Sequence, residues 1–236
     1  PATAEEQIRD ALEAGEFHLH YQPVVEMATG RIVGAEALLR WKHPELGMVS
    51  PAEFIPVAEE TGLILPIGDW VLRTACAQLV EWQALGLGPL RMAVNLSARQ
   101  FRRPEFVAET LATVEAAGLA PGTLEPEITE SLLMDDVERA LTRMHALGDR
   151  GLRLAMDDFG TGYSSLAFLK RFPVGMLKID RQYVRDLTEN AATDARRDAV
   201  HAEVGRLIGP DVADNATHAM FLPRAISETL LAGAAS

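Results

Sequence analysis

The stretch LRLAMDDFGTGYSS, residues 152–165, runs from an apolar segment through two adjacent carboxylates into a glycine-rich turn. Leu152 to Met156 read as a buried strand, with Asp157 and Asp158 at its C-terminal end. Working outward, the same arrangement recurs. Met92-Ala93-Val94 runs into Asn95, Glu127 and Glu130 flank Ile128-Thr129, and Lys178 and Asp180 surround Ile179. Strand candidates at 17–25, 32–41, 91–96, 124–128, 153–158 and 176–179 alternate with helical patterns. That order predicts an α/β fold with a largely parallel sheet. The first two candidates are joined by the short link Met27-Ala28-Thr29-Gly30-Arg31 and predict an antiparallel hairpin. The later ones lie about 20–35 residues apart, room for one crossover helix each.

Helix signals fit this alternation. Thr3-Ala4-Glu5-Glu6 reads as a capping box, and Ser50-Pro51-Ala52-Glu53 as a stronger one with proline in the first turn. Ile67, Val71, Ala75, Leu79 and Trp82 share one face, as do Val137, Leu141 and Met144, and again Val200, Val204, Leu207 and Ile208. No linker or repeat divides the 236 residues, so one domain spanning 1–236 is expected. The single cysteine, Cys76, excludes an intrachain disulfide. The N-terminus lacks a signal peptide's basic start and apolar middle, and no run is long enough to span a bilayer. A net charge of -12, from 34 acidic and 22 basic residues, argues against a broad DNA- or RNA-binding surface. An anionic partner would need a cation between it and the chain.

Parallel strands share one open end, so the carboxylates at successive strand ends converge on one rim. Glu36 joins them, interrupting an otherwise apolar strand. Taken singly, Glu36 reads as a solvated face and Asn95 as a turn residue; the repetition favours a metal site. Carboxylates crowded together either gain protons or take divalent cations, and Asp, Glu and Asn oxygens suit Mg²⁺ or Mn²⁺. On an ideal strand Asp157 and Asp158 would point opposite ways, so the pair is expected at an irregular strand end. There one aspartate can bridge two metals that activate water for phosphoryl displacement. The segment after them, with Gly160 and Gly162, suits a phosphate cradle, a lid or an ordinary tight turn.

Glu36-Ala37-Leu38, followed by Leu39-Arg40-Trp41, resembles the signature of EAL domains, the bacterial cyclic-di-GMP phosphodiesterases. Tyr21-Gln22-Pro23, Val94-Asn95-Leu96-Ser97, Glu127-Ile128-Thr129-Glu130, the Asp157-to-Ser165 segment and Lys178-Ile179-Asp180 resemble the family's other motifs in family order, over about residues 16–187. The resemblance implies a TIM-like (β/α)8 barrel with an antiparallel first strand. It also implies two Mg²⁺ or Mn²⁺ ions and hydrolysis of cyclic di-GMP to linear pGpG. Glu36, Asn95, Glu127 and Asp157 would hold one metal, and Asp157 and Asp158 would contribute to the second. Lys178 would orient or help activate the attacking water. Glu130 would anchor the loop Phe159, Gly160, Thr161, Gly162, Tyr163, Ser164 and Ser165. Gln22, Leu38, Arg40 and Asp180 would contact the dinucleotide, Arg40 offering a charged fork to phosphate. A homodimer in the bacterial cytoplasm, without membrane contact by this domain itself, is the family expectation; the domain could be the cytoplasmic part of a larger sensor protein.

After about residue 186 the resemblance thins, and the C-terminal part is expected to be atypical or incomplete. Asp211-Val212-Ala213-Asp214-Asn215 is the counterpart of the usual seventh-strand motif, which would make Asp214 the second metal's ligand in place of a glutamate. The competing reading is a surface turn after Gly209-Pro210. No eighth strand is legible, and residues 218–231 read as a final helix. Such a barrel is closed by a partner's segment, stays open, or belongs to a chain whose end differs from the natural domain's. The intact motifs favour an enzyme; the altered tail favours a catalytically impaired receptor or scaffold.

Overall fold

The computed structural model describes residues 2–26, 29–134, 136–159 and 172–179. Gly160 to Ser165, Asp180, Asp214, the helices expected at 200–208 and 218–231 and the final strands lie outside the described residues. The chain forms two compact units, one of Pro1–Gln22 with Gly34–Leu124 and the other of Pro23–Val33 with Glu125–Ser236.

In the first unit, α1 (Ala4–Ala14) starts at the capping box read from the sequence. The Thr3 hydroxyl accepts from the Glu6 N–H at 3.2 Å, and the Glu6 carboxylate accepts from the Thr3 N–H at 2.8 Å. Pro51 opens α2 (Pro51–Thr61), where the Ser50 N–H donates to Glu53. The long α3 (Ile64–Ala84) buries Ile67, Val71, Ala75 and Leu79 as its spacing predicts. Trp82, on the same stripe, stays half-buried and takes an edge-on contact with Tyr21 at 5.0 Å.

β1 (Phe17–Val25) and β2 (Ile32–His43) are neighbouring strands. The Glu26 N–H donates to the Arg31 carbonyl across a link too short for a crossover, so the pair is the expected antiparallel hairpin. β2 runs two residues beyond its expected end. Its last residues pair antiparallel with β3 (Gly47–Val49), Trp41 opposite Val49. The three residues of β3 are too few to show a period in sequence.

The first half of β2 pairs in parallel with β4 (Arg91–Asn95), with Gly34 opposite Arg91 and Glu36 opposite Ala93. Gly34 permits that approach, since a Cβ there would stand 2.6 Å from the Arg91 carbonyl oxygen. After β4 come α4 (Ala98–Phe101), α5 (Phe106–Ala116) and a 3-10 turn at Pro121–Thr123. Phe17, Trp41 and Phe54 form one aromatic cluster of the core, with ring centroids 5.6–5.8 Å apart.

In the second unit, β5 (Leu124–Thr129), entering it at Glu125, leads into α6 (Glu130–Met134) and α7 (Val137–Gly148). Asp136 caps α7, and Leu141 and Met144 are buried on its inner face, with Val137 half-buried. β6 (Ala155–Phe159) and β7 (Met176–Ile179) follow. β5, β6 and β7 pair in parallel, as expected of strands separated by crossovers.

Candidate active site

The residues singled out from the sequence fall at strand ends, and strand alternation decides which of them meet. In the first unit, Glu36 pairs with Ala93, and Asn95 lies two residues further along β4, so the two side chains leave one face. The Asn95 amide Nδ2 donates to Glu36 Oε1 at 2.8 Å. That bond sets the carboxamide's orientation, so one carboxylate and one amide oxygen are presented together. Leu38 and Arg40 follow Glu36 at alternate positions of β2 and are half-buried. Arg40 folds its guanidinium onto the Leu39 carbonyl at 2.8 Å. Gln22 is exposed on β1.

In the second unit the register sets Glu127 opposite Ala155 and Thr129 opposite Asp157, while Ala155 faces Met176. Alternation then places Glu127, Asp157 and Lys178 on one face of three adjacent strands. The Lys178 ammonium donates to Glu127 Oε2 at 2.8 Å and to Asp157 Oδ2 at 3.1 Å. Only 2% of the Glu127 side chain is exposed, against 19% for Lys178 and 21% for Asp157. A carboxylate that deep needs a counter-charge, and Lys178 supplies it.

Asp158 sits where the β6–β7 register shifts, between Met156 and Phe159, and its φ is 55°. Its N–H donates to Asp157 Oδ1 at 2.9 Å. The irregular strand end expected for the aspartate pair is present. Glu130 is buried at the start of α6, where a helix N-terminus favours a carboxylate. The loop it would anchor lies beyond the described residues, apart from the backbone of Phe159.

Two features escaped the sequence reading. Glu125 is buried at 5% exposure, one alternation before Glu127 on the same side of β5, and the Glu-x-Glu spacing was its signal. Gln100, five residues past Asn95 in sequence, is buried at 6% and closes a Ser-x-x-Gln capping box with Ser97. Among the described residues, the first group offers a carboxylate and an amide oxygen and the second offers carboxylates, without sulfur or imidazole, donors that fit Mg²⁺ or Mn²⁺.

Comparison with known proteins adds the lineage. The family model described as EAL domain matches residues 5–204. The cyclic di-GMP phosphodiesterase PA2567 of Pseudomonas aeruginosa is 43% identical over 184 residues, covering 78% of this chain and 31% of that protein. Among solved structures, the PaMucR phosphodiesterase in its c-di-GMP complex is 39% identical with a TM-score of 0.80, over 97% of this chain and 91% of that one. The FimX EAL domain from Pseudomonas aeruginosa bound to c-di-GMP is 25% identical with a TM-score of 0.77, over 99% and 91% respectively. The chain spans about a quarter of the length of the curated relatives it matches.

Proposed function

The chain belongs to the EAL domain family, and from that premise we propose that it hydrolyses cyclic di-GMP to linear pGpG with divalent metal ions. The observation that carries the reading is Lys178, whose ammonium bridges the buried Glu127 and Asp157 at the ends of parallel strands. Relatives named as cyclic di-GMP phosphodiesterases support the choice of substrate.

Glu36, Asn95, Glu127 and Asp157 are the proposed ligands of one Mg²⁺ or Mn²⁺. Asp157, Asp158 and Asp214 are those of a second. Metals bound there supply Lewis acidity and a water that is ionised near neutral pH. The chain's own residues do the rest. Lys178 holds the Glu127 and Asp157 carboxylates in fixed orientation and provides an N–H donor for the attacking water. The Asp158 N–H fixes the second oxygen of Asp157. Arg40, released from the Leu39 carbonyl, presents a fork to a phosphate, with Gln22, Leu38 and Asp180 along the dinucleotide. Glu130 is assigned the anchoring of the loop 159–165, which in this reading links the site to a homodimer in the cytoplasm. The bound metals also reconcile a chain of net charge -12 with a dianionic substrate.

The test is purified protein with Mn²⁺ or Mg²⁺ and cyclic di-GMP, with pGpG followed by chromatography. Turnover that Glu36→Ala abolishes is the expected result. Binding without turnover replaces the enzyme by a receptor, the second reading, which the departure from the family pattern at 211–215 favours. Neither binding nor turnover leaves a protein-interaction scaffold. Asp214→Ala is expected to lower turnover more than binding; unchanged activity makes Asp214 a turn residue.

A further inference from the structure

We propose that Gln100, seated against Gly68, is a positioning residue that sets the metal affinity of the Glu36–Asn95 pair. This rests on the phosphodiesterase reading of that pair. Asn95 is the last residue of β4, so nothing in the strand ladder beyond it fixes its backbone. What fixes it is the segment immediately after. Leu96 is buried, and the Ser97 N–H and hydroxyl both donate to Gln100 Oε1, at 3.1 and 3.0 Å. The Ser97 hydroxyl in turn accepts from the Gln100 N–H at 3.1 Å.

In the α1 and α2 capping boxes the reaching Glu6 and Glu53 are exposed. Here the reaching Gln100 is buried, and the wall it meets is the backbone of α3. A Cβ on Gly68 would stand 1.9 Å from Gln100 Nε2 and 2.3 Å from its Cδ, so no residue with a side chain fits beneath the carboxamide. α3 is itself held by its buried stripe Ile67, Val71, Ala75 and Leu79. Arg99 ties the same segment to α2, donating to the carbonyls of Glu59 and Glu60 near that helix's end. The backbone two residues past Asn95 is thus held by the Gln100 carboxamide, which itself packs against α3 at Gly68.

The Asn95–Glu36 bond is 2.8 Å long, and a shift of Asn95 by about 1 Å takes it beyond hydrogen-bond range. Both donors then lose the relative placement a metal would use. Partners lying behind metal ligands change affinity by about 10–100-fold when removed, and the same scale is expected here.

Two variants attack the contact from opposite sides. Gln100→Leu keeps the bulk and deletes the acceptor; Gly68→Ala expels the carboxamide. Gln100→Glu keeps an oxygen for both Ser97 donors while burying a charge, so it lowers the melting temperature but spares the cap. Mn²⁺ binding to each variant of the 236-residue chain is measured by calorimetry, beside melting temperature and hydrolysis. The expected result is Mn²⁺ affinity lowered about 10-fold or more in Gln100→Leu and Gly68→Ala, and within about 2-fold of wild type in Gln100→Glu. The double variant Gly68→Ala/Gln100→Leu should lose no more than the worse single one, because both remove one contact. Wild-type affinity in either single variant overturns the inference. So does affinity that merely tracks melting temperature, Gln100→Glu included. Wild-type protein that binds Mn²⁺ but does not hydrolyse cyclic di-GMP overturns the functional reading and leaves the positioning role to the binding data. Wild-type protein that binds no Mn²⁺ overturns both.

Discussion

Replacing Lys178 by methionine removes the ammonium while keeping an unbranched apolar stem of similar reach. In the wild-type chain that ammonium lies 2.8 Å from a Glu127 oxygen and 3.1 Å from an Asp157 oxygen. Glu127 is almost wholly buried, so Lys178→Met removes the ammonium that faces it. Breaking a buried pair by deleting one partner costs about 3–5 kcal/mol. Asp157 and Lys178 are each about one-fifth exposed, and water screens that half of the arrangement, which brings the expected loss to about 2–3 kcal/mol. For a chain of this size that corresponds to a fall in melting temperature of roughly 4–12 °C. The measurement is urea unfolding of wild type and variant, each with EDTA and with Mn²⁺. Mn²⁺ should stabilise the variant more than the wild type, because the cation restores the missing positive charge where the wild type already has one. Turnover should be lost under either condition. A stability loss below about 0.5 kcal/mol, or equal stabilisation of both proteins by Mn²⁺, refutes the view that Lys178 balances Glu127.

Gly34→Ala forces a Cβ to within 2.6 Å of the Arg91 carbonyl and should cost about 1–3 kcal/mol in urea unfolding; a neutral effect would show that β2 and β4 can separate freely. Burial pushes the Cys76 thiol up to about 11, so alkylation by iodoacetamide at pH 8 should be slow until denaturant is added, and labelling at the rate of a free thiol would contradict its placement. The same shift has a sign in stability. Between pH 9 and about 11 the unfolded chain has lost the thiol proton and the folded chain retains it, so this group's contribution falls as pH rises through that window, and Cys76→Ala should flatten the decline.

The convergence of Glu127, Asp157 and Lys178 on one strand-end rim was legible from the parallel order of their strands. That they share a face follows from the observed register, with Glu127 opposite Ala155 and Ala155 opposite Met176. The Glu36–Asn95 pair was legible as chemistry but not as geometry, since it depends on the register that brings Glu36 opposite Ala93. β3 was not legible, because three residues at a hairpin tip have no periodicity and form only where β2 overruns. Gln100 was missed for a different reason. Ser-x-x-Gln signals a helix start, and nothing in four residues reveals that a glycine 32 positions earlier forms the wall against it. Trp82 shows the limit of a helical stripe, which predicts direction while depth depends on what else packs there.

The left-handed backbone at Asp158 bears on which residues this position can accept. A φ of 55° costs most side chains about 1–2 kcal/mol, and Gly, Asn and Asp tolerate it best. Two filters therefore act on one codon. The turn admits glycine, asparagine and aspartate, and the charge proposed for the second metal admits aspartate and glutamate, so aspartate is the residue that satisfies both. Asparagine at this position would keep the backbone and remove the charge, whereas glutamate would keep the charge at a cost of about 1–2 kcal/mol in the turn. A single position thus offers a way to separate the shape of the strand end from its charge.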